Sequence, residues 1–346
     1  MPAEPASQDR TRLLWVLSAA TFLIFFQAFM VAPLIPRLAR VFGVSIETMG
    51  LVVPAYLIPY GVATLIYGPL SDRLGRRPVM LASLIGFIVL TGLTATAQSA
   101  AALLVLRLVT GLVASGVVPL ALALLGDLFP YRERGRPLGW LFGAMAGGMA
   151  FGSTAGVMLE PVVTWRGLFL GVGALALVVL IALLPYQPLL VTKTNGSTLL
   201  PIRTLTSALR KLLRSRRAKR TYSYVLVNSV FHSGVFTWLG LYFDQRYGLS
   251  EVGIGLVLLG YGIPGFLLGP TIGGLADRRG RSRLIPIGLT IGGLSACLLA
   301  LHLPILLAAL LVTTLSLGYD MPQPLFGGIV RELSPQRGLA MGLNVF

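Results

Sequence analysis

Cysteine is nearly absent, histidine is scarce and charge is thin. Cys297 is the single cysteine. An internal disulfide and a cysteine metal cage are therefore both excluded. The two histidines, His232 and His302, stand far apart, and no metal or cofactor is implied. Charged residues make up 12% of the 346. Soluble domains carry about 25%, so this chain cannot coat a water-facing surface. No GxxxxGK[ST] loop is present, which disfavours ATP-driven work. HExxH and GxSxG are missing too, which disfavours a membrane protease, and no enzyme is expected. What is plentiful is apolar: 55% of the residues are hydrophobic. A soluble enzyme, a disordered chain and a secreted disulfide scaffold are ruled out together.

The apolar residues come in runs of roughly 20, the length that crosses a bilayer as a helix. Ten complete spans are expected near 13–36, 50–70, 79–97, 102–126, 139–160, 167–187, 222–243, 251–274, 284–302 and 304–329, and 338–346 reads as the start of an eleventh. Inside lipid the backbone must satisfy its own hydrogen bonds, so these are helices. The formal charge of +16 would suggest nucleic acid in a soluble protein. Its placement says otherwise. With the N-terminus inside, 23 of the 28 Lys and Arg fall in inside segments, four outside (Arg37, Arg40, Arg166, Arg246), and Arg107 within a span. That is the positive-inside bias. The charge anchors loops, and no nucleic-acid partner is expected.

The chain repeats itself. A shift of 205 positions carries Gly50, Leu51 and Val52 onto Gly255, Leu256 and Val257, and Tyr56, Ile58 and Pro59 onto Tyr261, Ile263 and Pro264. It also carries Gly68, Leu70, Asp72, Arg73, Gly75 and Arg76 onto Gly273, Leu275, Asp277, Arg278, Gly280 and Arg281. Pro119 and Pro130 fall on Pro324 and Pro335, and Asp127 falls on the acidic Glu332. Parallel repeats of this kind mark duplicated transporter folds. The expected architecture is an all-α membrane protein of two pseudo-symmetric bundles. Residues 1–187 form a six-helix bundle, 188–221 a basic inside linker, and 222–346 an incomplete second bundle of four helices and the start of another. By the repeat, roughly two helices are missing after Phe346, and the chain reads as truncated after its tenth helix.

The loops after the second and eighth spans read Gly68-Pro69-Leu70-Ser71-Asp72-Arg73-Leu74-Gly75-Arg76-Arg77 and Gly273-Gly274-Leu275-Ala276-Asp277-Arg278-Arg279-Gly280-Arg281-Ser282. A glycine at the helix end admits a close neighbour. An aspartate one turn later can face a helix N-terminus or an arginine. A second glycine permits a tight turn. These loops resemble the signature of the major facilitator superfamily. The fourth span, with Arg107, Thr110, Gly111, Gly116 and Pro119, resembles a second signature of its twelve-helix drug/proton antiporter branch. The resemblance implies two bundles around a cavity lined by spans one, four, seven and ten, with substrate near the midplane and alternating access. It implies that Asp72 contacts the start of the eleventh helix, and it ties Arg107 to proton coupling. The fifth span, with Gly143, Gly147, Gly148, Gly152 and Gly156, matches the antiporter pattern only partly, and its glycines read as packing.

Polar residues inside spans are functional candidates by default. Gln27 sits in the first span. Asn228 and His232 lie one turn apart in the seventh, and a histidine suits a proton switch. Asp320 and Gln323 lie in the tenth among Pro322 and Pro324, where a kink is expected. The expected function is secondary transport, proton-driven efflux of small molecules such as drugs or metabolites, from a bacterial inner membrane with the N-terminus cytoplasmic. Small-molecule substrate, protons and lipid are the expected partners. The alternative from another class is a truncated, transport-inactive sensor or partner-binding subunit.

Overall fold

The computed structural model describes residues 7–191, 207, 210, 212–333, 340, 343 and 344. The described residues are helical with short connections and contain no strand. The helices are α1 Ser7–Phe29, α2 Ile35–Phe42, α3 Ile46–Gly50, α4 Pro54–Leu74, α5 Arg76–Thr94, α6 Ala100–Ala114 and α7 Val118–Leu128. They continue with α8 Gly135–Leu183, α9 Arg216–Tyr247, α10 Glu251–Arg279, α11 Arg281–Leu299, α12 Ile305–Asp320 and α13 Gln323–Val330. Among the described residues eight helical stretches are long and apolar enough to cross a membrane, and the apolar part of α11 is a shorter ninth. One of the eight, Gly135–Leu190, has 56 residues. At 1.5 Å per residue α8 alone would run about 70 Å, more than twice a bilayer core of about 30 Å. It therefore holds the fifth and sixth expected spans. The chain turns at Thr164, whose φ of 61° and ψ of 161° are not helical.

The spans break where proline dictates. The first was expected to end near 36, but a short turn at Ala32–Leu34 restarts it as α2, with proline early in each new segment. Proline costs little there because those N–H groups have no helical partner. The fourth and tenth spans each consist of two helices, α6/α7 and α12/α13, parted beside Pro119 and Pro322. Most of the linker 188–221 and of the expected eleventh-helix start lies outside the described residues.

The repeat is written in the backbone. Gly43 and Gly248, 205 positions apart, take φ of 64° and 61°. Ser45 and Ser250 cap the next helices, accepting from Thr48 N at 3.2 Å and Gly253 N at 3.3 Å. Gly75 (φ 89°, ψ 149°) and Gly280 (φ 87°, ψ 143°) turn the signature loops identically, in a region only glycine enters freely.

Helix α8 is the packing centre, through two small-residue faces. Gly135, Gly139 and Gly143 lie against the backbone of Gly273, Gly269 and Gly265 on α10 of the other half. Gly148 and Gly152 lie against the backbone of Phe22 and Phe26 on α1, and Gly156 against that of Met30 just past its end. A Cβ at Gly139 would run into the Gly269 carbonyl, which cannot swing aside. Gly139→Val is thus expected to destabilise the purified protein by about 2 kcal/mol, as overpacked cores do. Gly171→Ala, whose new methyl meets nothing within 4 Å, is expected to leave the thermal midpoint in detergent unchanged or slightly higher.

Candidate functional site

A cavity of about 770 Å³ lies between the halves. Its first-half wall is aromatic. Phe25 and Phe29 of α1 and Tyr56 and Tyr60 of α4 each stand one turn apart and so share a helix face. Tyr56 and Tyr60 stack with ring centres 5.9 Å apart. Their hydroxyls are buried and have no hydrogen-bond partner among the described residues. The second-half wall carries His232 of α9, Tyr261 of α10, Tyr319 and Asp320 of α12, and Gln323 of α13. His232 stacks on Tyr319 with centres 3.6 Å apart and planes 11° apart. Its Nδ1 lies 2.5 Å from the Tyr261 hydroxyl. Asp320 accepts a hydrogen bond from Ser316 Oγ at 2.9 Å. Among the described residues it has no ion-pair partner. Beyond the cavity toward the Tyr247 end of α9, Phe29 meets Phe236 edge-on across the halves.

The cavity draws on spans one, two, five, seven, eight and ten, with Leu213 and Lys219 ahead of the seventh and Leu343 and Asn344 from the expected start of the eleventh. None of its described lining residues comes from the fourth span, contrary to what the resemblance implies. The fourth span is instead packed behind α4. Its Arg107 is fully buried, one ring behind the wall, with its guanidinium 4.3 Å from the centre of the Tyr56 ring. It donates to Gln27 O at 3.2 Å, Gln27 Oε1 at 2.8 Å, Ala28 O at 2.9 Å and Val52 O at 3.3 Å. Those backbone acceptors lie at helix breaks. Gln27 and Ala28 are in the last turn of α1, where carbonyls lose their helical donors. Val52 lies just ahead of α4, and Tyr56 N bonds Val53 O instead. A cation is also favoured at a helix C-terminus. One guanidinium thus joins two broken spans.

Of the candidates, His232, Asp320 and Gln323 come together on the wall, while Gln27 and Arg107 pair behind it. Asn228 is buried beside the cavity, not on it. Tyr56, Tyr60 and Tyr319 escaped notice as site residues, and Tyr261 was visible only as a repeat match. The repeat supplies the missed signal: 205 positions carry Gln27 onto His232 as well as Tyr56 onto Tyr261.

The signature loops lie at one end of the molecule. Asp277 Oδ2 accepts from Gly135 N at 2.7 Å and Arg136 N at 3.3 Å, capping the start of α8 in the other half. Arg134 pairs with Glu332 across the halves at 2.9 Å. In the first half Arg76 pairs with Asp127, and Asp72 lies partly buried in the field of both. Gly68 is buried and its carbonyl accepts from Ser71. Arg73 is partly buried and Arg278 exposed; the side chain of Arg281 lies outside the described residues. The start of the eleventh helix, the partner expected for Asp72, is largely outside them too. Its repeat equivalent, the start of α8, is held by Asp277. Trp165, beside the turn at Thr164, is buried against Phe42 and Phe169.

Residues 17–346 match the family described as the Major Facilitator Superfamily. The chain belongs to the Major Facilitator Superfamily. Its relatives within the superfamily include the uncharacterised MFS-type transporter YceJ of Bacillus subtilis, 29% identical over 81% of this chain and 70% of the relative. The chloramphenicol resistance protein of Pseudomonas aeruginosa is 32% identical over 42% of this chain and 36% of that protein. The fold resembles the crystal structure of the human organic anion transporter MFSD10 (TETRAN), with a TM-score of 0.79 and 20% identity, over 99% of this chain and 91% of that one. The chain is thus a multi-pass membrane transporter of the superfamily.

The geometry separates two tyrosines that occupy equivalent places. Tyr261→Phe removes the hydrogen bond to His232 and is expected to cost about 1 kcal/mol. Tyr56→Phe removes none and is expected to be nearly neutral. Arg107→Lys cannot reach all the carbonyls and is expected to cost about 2–3 kcal/mol by stranding buried acceptors. Thermal unfolding of the three purified variants in one detergent checks the order.

Proposed function

We propose that this transporter exports small molecules in exchange for protons, by alternating access of its two halves, residues 1–187 and 222–346. The observation that carries the reading is Asp320. It is a carboxylate set among aromatic rings in the cavity between the halves, with Ser316 as a hydrogen-bond donor and, among the described residues, no cation paired to it. Such a group has reason to gain and lose a proton as the cavity changes its access. His232, stacked beside it and bonded to Tyr261, is the second proton-handling candidate. Arg107 serves the cavity indirectly, by fixing Tyr56 and the break in the first span. Asp277, Arg134 and Glu332 hold the signature-loop end shut in one state, and Asp72 would play the matching part toward the eleventh helix.

Export is supported by the relatives. The chloramphenicol resistance protein and the multidrug transporter AQR1 of Candida glabrata, 30% identical over 52% of this chain, are named for drugs. The arginine bias supports an inner membrane with the signature loops and the N-terminus cytoplasmic.

In proteoliposomes with an imposed proton gradient, a transported drug is expected to release protons across the membrane. Asp320→Asn is expected to abolish that release, and His232→Ala to abolish or cut it severely, with both variants still folded. Unchanged coupled flux in both would remove the proton role. Absence of any flux in the parent chain, with stable capture of a partner protein, would replace transport by the sensor reading.

A further inference from the structure

We infer that the seam between α1 and α8 holds an anionic phospholipid, its phosphate between Arg12 and Arg136 and its chains along Trp15 and Trp140. The site lies outside the cavity and does not depend on the transport reading. The two helices run parallel and in step, Gly148 meeting Phe22 and Gly152 meeting Phe26. Nearer their first turns Trp15 and Trp140 are in contact, with ring centres 4.2 Å apart and planes 57° apart. Arg12 precedes Trp15 by three residues, and Arg136 precedes Trp140 by four. Each arginine thus shares a helix face with its tryptophan. Both stand on the same side of the ring pair, about 4.5 and 6 Å nearer the helix starts at 1.5 Å per residue. The seam faces lipid. On α8, Phe142 and Met149 line the cavity, and Trp140 lies roughly 160° around the helix from Phe142. Trp15 is 49% exposed, and Arg12 and Arg136 are exposed. Roughly 10–16 Å deeper along the helices, Phe22, Phe151 and Phe266 close the same seam with ring centres 5.5–6.1 Å apart. None of these five rings is among the described lining of the cavity.

Charge is the second argument. Among the described residues neither guanidinium has an ion-pair partner. The acids nearby are engaged or turned away. Asp277 accepts from Gly135 N and Arg136 N, and Glu332 pairs with Arg134. Asp9 lies about 120° around α1 from Trp15, and Glu133 stands ahead of α8 beside the exposed Arg132. Guanidinium forks suit phosphate oxygens. Basic pockets between spans on the cytoplasmic side, where the arginine bias puts these residues, take anionic headgroups. Indole rings settle at headgroup level. A zwitterionic lipid offers the same phosphate but brings an ammonium, which the arginines repel. Loop anchoring alone asks for neither the ring contact nor the matched positions on two helices.

Brominated acyl chains quench tryptophan on contact, so the ring pair reports its own lipid. The full chain is reconstituted in phosphatidylcholine vesicles doped with brominated phosphatidylglycerol or with brominated phosphatidylcholine. Trp238→Phe serves as the parent, because Trp238 is the other exposed tryptophan and Trp165 is buried. Phosphatidylglycerol is expected to reach half of its limiting quench at about tenfold lower mole fraction than phosphatidylcholine. Arg12→Gln with Arg136→Gln is expected to erase that difference, and Arg12→Lys with Arg136→Lys to keep most of it, since the charge remains. Arg216→Gln with Arg217→Gln, exposed at the start of α9, is expected to shift it by less than about twofold. Equal quenching by the two lipids in the parent would overturn the assignment. So would an undiminished preference in the double glutamine variant, or its loss in the α9 pair. The comparison of the two lipids needs no arginine variant and stands if the double glutamine protein fails to fold.

Discussion

Backbone-to-backbone contact along α8 is the constraint on which the rest of the structure depends. Lipid tails are as apolar as leucine, so burial of apolar area does not drive helices together within a bilayer. Close contact must do it, and close contact requires that no side chain intervene. Glycines at spacings of four on two faces of α8 let α10 approach from one side and α1 from the other. The contact with α10 fixes the distance between the halves across the cavity, and the contact with α1 braces the first half. The cavity's aromatic walls then fill the space that the glycines do not close.

Several buried polar atoms of this scaffold have no hydrogen-bond partner among the described residues, but its one fully buried guanidinium among them does. Arg107 carries a full charge into a span, which costs about 2.5–3.5 kcal/mol on insertion scales. It is answered by carbonyls that two helix breaks have already freed. The breaks and the arginine therefore explain one another. The proline-rich segments would strand acceptors without the guanidinium, and the guanidinium would strand a charge without them. Asp320 is different. It has one hydroxyl donor and a cavity in front of it. The first half ties its buried guanidinium into structure, while the second half leaves a carboxylate on the cavity wall.

Much of the fold was legible because a bilayer imposes so few solutions. Span length, arginine placement and a gapless repeat located the ten spans among the described residues to within several residues, though not the short helices α2 and α3, and the two-piece tenth span was announced by Pro322 and Pro324. The turn at Thr164 was not legible as a helix-to-helix junction, since the gap between the expected fifth and sixth spans holds no glycine to mark a positive φ. Site residues divided by chemistry. Asp320, His232 and Gln323 stood out because polar atoms are rare in spans. The tyrosines did not, because an aromatic residue in a span reads as apolar filling until a partner is seen. Arg107 was conspicuous, but its place behind Tyr56 depended on the fourth span packing against the second, which no local pattern shows.

The junction at Thr164 also bears on motion. Thr164 is the only non-glycine residue with positive φ among the described residues. Helix runs directly into it from both sides. Around it, Arg37 pairs with Glu160 at 3.2 Å, and Arg166 donates to Ala97 O at 3.1 Å. A floppy loop would absorb displacement of one helix before its neighbour felt it. Here there is no slack. A tilt of the fifth span, which grips the other half through its glycines, is transmitted at once to the sixth, and the pair swings as a single lever with its stiff elbow at the membrane face.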